Sequence, residues 1–218
     1  MVTAEITFSR NDLLGLQNPM TLFGVDWETY EEISEEIGES TSLHLTFSKG
    51  TLTIMPVTEI HELLTSLLHN FITFTGLALR KNIVPTGKAT LRSKRRNYGV
   101  EPDLSFFVGK ADVHQIKNYV PNELEMAPDI VVEIDIHHPS DNKFDIYSEF
   151  GVLEFWQYDG ERLKIYRLQK NGEYAEIEQS AELSVLSGAV LTEFLRRGLK
   201  EQQLTVLSDF QEWLQENK

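Results

Sequence analysis

Four acids stand in places that are costly for acids. Glu101 and Asp103 flank Pro102 in Glu101-Pro102-Asp103-Leu104, and Glu133 and Asp135 sit in Asp129-Ile130-Val131-Val132-Glu133-Ile134-Asp135. Both strings read as buried strands. A carboxylate in apolar surroundings persists only when it is hydrogen-bonded, paired or bound to a metal. Side chains two apart on a strand share a face. Glu101 should therefore project with Asp103, and Glu133 with Asp135. If the two strands are neighbours, up to four carboxylates converge, an oxygen donor set suited to Mg²⁺, Mn²⁺ or Ca²⁺. A cation held there would neutralise a phosphate and acidify a water. Lys143, one turn into the next expected helix, could stabilise the charge that develops in the transition state. Together these are the parts needed for phosphodiester hydrolysis.

The elements that must position these groups follow from periodicity. Thr58 to about Leu79 repeats apolar residues at helical spacing, with Thr58 as cap and Glu59 and Glu62 in the first turn. An acidic amphipathic helix is expected over Asp26–Ile37. Leu43–Phe47 and Thr51–Met55 alternate around Lys49-Gly50 and predict a hairpin. Strands are expected near Ile83–Leu91, Asp103–Val108 and Asp129–Ile136, with a short helix over 110–118. Lys143–Phe150 reads as a helix ended by Gly151. A second hairpin joins Glu154–Tyr158 to Leu163–Leu168 and extends into Tyr174–Ile177. Helical patterns at Ala189–Arg197 and Leu204–Leu214 close the chain. Residues 1–25 read as irregular, with a short helix around Asp12–Leu16. The order implies an α/β (α+β) fold, a central mixed sheet flanked by helices.

Composition narrows the function. The 218 residues suit one domain and carry a net charge of −14, which opposes binding to nucleic acid over the whole surface. Lys88, Arg92, Lys94, Arg95 and Arg96 nevertheless crowd one segment before Asp103. They form either a solvated hairpin loop or a basic rim for a phosphodiester substrate. No apolar run is long enough to span a bilayer. The first residues lack a signal-peptide pattern, and cysteine is absent. Thiolate metal sites and cysteine catalysis are thereby excluded, and a cytoplasmic protein is expected. Neither a phosphate-cradling glycine loop nor a Gly-x-Ser-x-Gly elbow occurs.

Several residues keep two readings. Asp135 is either a third ligand or the partner of a nearby cation, Glu101 either a ligand or a solvated strand-entry acid. Lys143 could be a plain exposed helix lysine. Glu62 either favours the helix N-terminus or serves the site from outside. His61 reads as a capping-region histidine, and Tyr147, Phe155 and Trp156 read as core. His137 and His138 face opposite ways on a strand and so do not make a zinc pair.

Taken together, Pro102-Asp103, Glu133 and Lys143 resemble the PD-(D/E)-x-K nuclease signature. A closer resemblance is to the Uma-two family of restriction-endonuclease-like proteins, much expanded in cyanobacteria. It is carried by Pro102-Asp103-Leu104, Pro128 to Glu133, Pro139-Ser140, Lys143 to Tyr147, Gly151-Val152, Glu154-Phe155-Trp156 and the helix-opening His61-Glu62, over about residues 26 to 195. The standard lysine, two residues after the acid, is replaced by Asp135, so the signature relies on a lysine moved to Lys143.

What the resemblance implies is a restriction-endonuclease-like core over 26–198, after an irregular 1–25 and before a C-terminal helical extension at 199–218. It implies a Mg²⁺- or Mn²⁺-dependent endonuclease. On the leading reading Asp103 and Glu133 would hold the metal with the Ile134 carbonyl and Asp135, Lys143 would be the catalytic cation and Glu62 an outer ligand. Lys94, Arg95 and Arg96 would contact the DNA backbone, no membrane is expected, and a homodimer would suit a domain that cuts both strands, though no sequence feature fixes its interface. The alternative is a catalytically inactive module of the same fold that binds protein as a regulatory or assembly subunit.

Overall fold

Thr58 starts the longest helix as expected: its hydroxyl accepts from the His61 N–H at 3.3 Å, satisfying one of the donors a helix start leaves open. That helix, Glu59–Leu79, buries Leu64, Leu67, Leu68, Phe71 and Ile72 along one stripe. It ends where Arg80 turns left-handed, at φ 53°. The computed structural model describes residues 10–38, 42–87, 90–109, 127–136 and 143–218. The expected helix over 110–118, Lys88, the His137-His138 pair and Pro139-Ser140 lie outside the described residues.

Numbered in chain order among the described residues, the helices are α1 (Arg10–Leu14), α2 (Trp27–Ile37), α3 (Glu59–Leu79), α4 (Lys143–Phe150), α5 (Gly188–Gly198) and α6 (Gln203–Asn217). The strands are β1 (Met20–Phe23), β2 (Leu43–Ser48), β3 (Thr51–Pro56), β4 (Ile83–Pro85), β5 (Leu91–Ser93), β6 (Tyr98–Val100), β7 (Leu104–Val108), β8 (Ile130–Ile134), β9 (Glu154–Tyr158), β10 (Leu163–Leu168) and β11 (Tyr174–Ile177).

They form two sheets, β1-β3-β2-β6-β5 and β11-β10-β9-β8-β7-β4. The second is the expected mixed sheet: β8 and β9 run parallel, and its other pairings are antiparallel. The β2–β3 hairpin turns through Lys49 and Gly50, at φ 47° and 92°. That pair of left-handed residues suits the twist of the flanking strands, and Gly50 takes its share without strain.

Two expectations are corrected here. The strand read over Ile83–Leu91 is two strands in different sheets, β4 at the edge of the mixed sheet and β5 at the edge of the other. The N-terminal segment holds a real strand, β1, paired antiparallel with β3.

Burial organises these elements into layers. One face of the mixed sheet offers Leu104, Phe106, Ile130, Val132, Ile134, Trp156 and Ile165 to α3, α5 and α6, and α6 adds Val206, Phe210 and Leu214 to this core. The opposite face presents Val131 and Phe155 to α4 (Ile146, Tyr147, Phe150) and to Leu91, Tyr98 and Val100 of β5 and β6. The first sheet buries Leu43, Leu45 and Phe47 of β2 against Trp27 and Tyr30 of α2. Gly99 of β6 lets the Tyr30 ring lie directly on the strand, where a Cβ would collide with its hydroxyl. The site lies where the two sheets and the starts of α3 and α4 meet.

Candidate active site

Strand alternation aims the acids. On β8, Ile130, Val132 and Ile134 face the large core, so Val131 and Glu133 face α4. Asp135, one residue past β8, continues on the Glu133 side. On β2, Leu43, Leu45 and Phe47 face α2, which leaves His44 and Thr46 on the opposite face, among the residues that line the cavity. Strand β7 pairs antiparallel with β8, with Leu104 opposite Val132. One step further along that register, Asp103 falls opposite Glu133.

Three carboxylates meet there. Asp103, Glu133 and Asp135 line a small cavity of about 20 Å³, with Lys143, His44 and His61 also in its wall. That space suits a single water or a bare cation. The cavity adjoins an open groove of about 320 Å³ that shares His61, Ile134 and Asp135 with it and adds Gln17, Asn18 and Pro19.

Asp103 is buried and accepts three hydrogen bonds. His44 Nδ1 stands 2.7 Å from Oδ1, His61 Nε2 2.9 Å from Oδ2, and the Ile134 N–H donates to Oδ2 at 2.6 Å. Burial alone would raise its pKa, but the hydrogen bonds and charge of His44 and His61 outweigh burial and hold the carboxyl well below the usual range.

Glu133 is only 1% exposed. Lys143 Nζ donates to its Oε2 at 2.6 Å, and the Tyr147 hydroxyl donates to Oε1. Glu133 is pushed up to about 8, chiefly by burial and also by the charges of Asp103 and Asp135, which together outweigh the opposing pull of Lys143. For Lys143, burial works against the charge, but Glu133, Asp135 and Asp103 raise its pKa above the ordinary lysine value and keep it an ammonium. Tyr147 is raised well above its usual value by burial and by Glu133, so it stays a donor. Lys143 and Tyr147 are one turn apart on α4 and share a face. Asp135 lies 4.0 Å from Lys143 Nζ and accepts from Gln157 Nε2 at 2.9 Å.

Asp103, Glu133, Asp135 and Lys143 are thus brought together as expected. Other expected residues are elsewhere. Glu101 does not join the cluster: it accepts from the Leu45 N–H at 3.1 Å and from Thr90 at 3.5 Å. Residues 101–103 precede β7 and are not in a strand, so the two-residue alternation does not apply to them. Glu62 is exposed and outside the cavity lining. One helical position, about 100° of rotation, separates it from His61, which does reach Asp103.

The basic turn is also away from the cavity. Lys94, Arg95 and Arg96 join β5 to β6 at the end opposite Asp103. Lys94 pairs with Glu28 at 2.5 Å, and Arg96 lies 4.0 Å from Glu149, near the far end of α4 from Lys143.

Sequence reasoning missed His44, and it missed the contacts of His61 and Tyr147. The usable signal for His44 was a histidine alternating with Leu43 and Leu45. That polar face faces the cavity and not solvent.

Comparison with known proteins bears on the fold and the family. No curated protein matches the chain. A crystal structure described as a putative nuclease belonging to DUF820, from Anabaena variabilis, superimposes with a TM-score of 0.51 at 16% identity, covering 74% of this chain and 97% of the other. That likeness shows a shared fold. The model of the Uma2 family, described as "Putative restriction endonuclease", matches residues 27–206. With the match spanning most of the chain, this protein belongs to the Uma2 family.

Proposed function

We propose that this chain is a metal-dependent endonuclease that hydrolyses phosphodiester bonds in DNA. One observation carries the reading: among the described residues, three carboxylates share a small, cation-sized cavity with one ammonium. Burial already resists ionisation of Glu133, so the site is short of positive charge. A divalent cation fits this deficit and the oxygen donors present. Asp103 and Glu133 would be its principal ligands and Asp135 a further one. Such an ion, Mg²⁺ or Mn²⁺, would neutralise the scissile phosphate and lower the pKa of a water.

The chain's own groups do the rest. Lys143 sets a fixed positive charge against the same acids, where it orients the attacking water or stabilises the charge that develops on phosphorus oxygens. Tyr147 and Gln157 are positioning residues that fix Glu133 and Asp135 in rotamer. Lys94, Arg95 and Arg96, about one α4 length away, contact the backbone of flanking nucleotides and not the scissile phosphate.

The test is cleavage of plasmid and single-stranded DNA in Mg²⁺ or Mn²⁺. Wild type should cut and Glu133→Gln should not. Linear product formed without a nicked intermediate would mark two copies acting together. Equal cleavage by wild type and Glu133→Gln would remove the assignment. The inactive interaction module has its own support: both Glu133 oxygens are already engaged by Lys143 and Tyr147. It predicts metal uptake with no cleavage of either DNA.

A further inference from the structure

Asp103 is held in a more selective setting than a carboxylate alone. His44 comes from β2, His61 from the first turn of α3 and Asp103 from the entry to β7. The two imidazoles approach different oxygens of one carboxylate, at 2.7 Å and 2.9 Å. Two ligands about 2.1 Å from one metal on perpendicular axes stand about 3.0 Å apart. The N–O spacings already match that geometry, and all three ligand atoms lie within 4.8 Å of one another. Both rings are largely buried and set edge to face, with centroids 5.6 Å apart. Packing therefore fixes both rings. His61 Nδ1 is buried without a hydrogen-bond partner among the described residues. No second bond fixes its tautomer, so Nε2 can turn a proton to Asp103 or a lone pair to a cation.

We propose that His44 Nδ1 and His61 Nε2 join Asp103 as direct ligands, so that the site selects a transition-metal dication of the Mn²⁺ and Co²⁺ class over Mg²⁺. The inference rests on the metal-dependent reading above and specifies its ion. Mg²⁺ dehydrates reluctantly and prefers oxygen donors, whereas imidazole suits first-row transition metals. Two nitrogen donors beside Asp103 and Glu133 therefore tilt the site away from Mg²⁺.

The full chain is titrated calorimetrically with Mn²⁺, Co²⁺ and Mg²⁺ salts, and the Mn²⁺-loaded protein is examined by pulsed EPR for ¹⁴N couplings. Mn²⁺ and Co²⁺ should bind at least about tenfold more tightly than Mg²⁺, and the spectrum should carry nitrogen couplings. His44→Gln with His61→Gln should weaken Mn²⁺ by about 10–100-fold and move Mg²⁺ by less than about threefold. If that variant does not fold, the wild-type spectrum decides. Equal Mg²⁺ and Mn²⁺ affinities with no nitrogen coupling would overturn the histidine assignment and leave the metal-dependent reading standing. Failure of wild type to take up any of the three ions would overturn both.

Discussion

Asp103, just before β7, and Glu133 of β8 line the same cavity, yet their surroundings drive them apart electrostatically. Asp103 gains three donors, and its carboxyl is held well below the usual range; Glu133 is pushed up to about 8 by burial. The difference is testable. Asp103→Asn keeps the shape and removes the charge. At pH 7 it should cost about 1–3 kcal/mol in denaturant unfolding, because His44, His61 and the Ile134 N–H lose a charged acceptor. The sign follows from linkage. A carboxyl whose folded pKa is depressed contributes stability above its unfolded value, near 4, and loses it as pH falls toward the folded value. The gap between wild type and Asp103→Asn should therefore shrink from pH 5 to pH 3; a constant gap would show that the carboxylate's charge is irrelevant. Tyr147→Phe should also destabilise, by about 1–2 kcal/mol, because one buried Glu133 oxygen loses its donor; a melting temperature equal to wild type would contradict that contact. At this scale the acids were legible because each interrupts an apolar run. His44 was not, because a polar residue every second position on a hairpin strand looks the same whether it meets solvent or a cavity.

Between residue and molecule, the elements do the aiming. The α3 helix sets His61 over Asp103 by laying Leu64, Leu67, Leu68, Phe71 and Ile72 into the core of the mixed sheet. Leu68→Ala should therefore cost about 2–5 kcal/mol in chemical denaturation, and a loss under about 1 kcal/mol would mean the stripe is not packed as described. The long elements were readable from sequence because they repeat enough for their period to be unambiguous, as in α3, β2–β3 and β9–β10. Short ones were not. β1 has four residues and β4, β5 and β6 have three each, too few to show alternation. The assignment of β4 and β5 to different sheets depends on partners distant in sequence, which no local pattern encodes. The same limit hid the turn geometry: the basic Lys94-Arg95-Arg96 run was visible, but its position at the far end of the β5–β6 hairpin from Asp103 was not.

For the whole molecule, net charge decides how a nucleic acid can be met. A net charge of −14 opposes a polyanion, and the described lining of the groove includes no lysine or arginine, so a nucleic acid bound as proposed would have few phosphates neutralised. The slope of log affinity against log salt should be shallow, between about 0 and −3, since it scales with the number of phosphates neutralised. A slope near −6 or steeper would contradict that expectation. No helix among the described residues is long and apolar enough to cross a membrane. Between the two sheets and the start of α4 lies a cavity whose described lining holds three carboxylates and one ammonium. Whether that excess serves to hold a cation is most directly tested by measuring Mn²⁺ stoichiometry and affinity by calorimetry on wild type and Glu133→Gln under identical buffer. One saturable site in wild type, lost or weakened at least about tenfold in the variant, is the expected result; no uptake by wild type, or the same isotherm for both proteins, would contradict it.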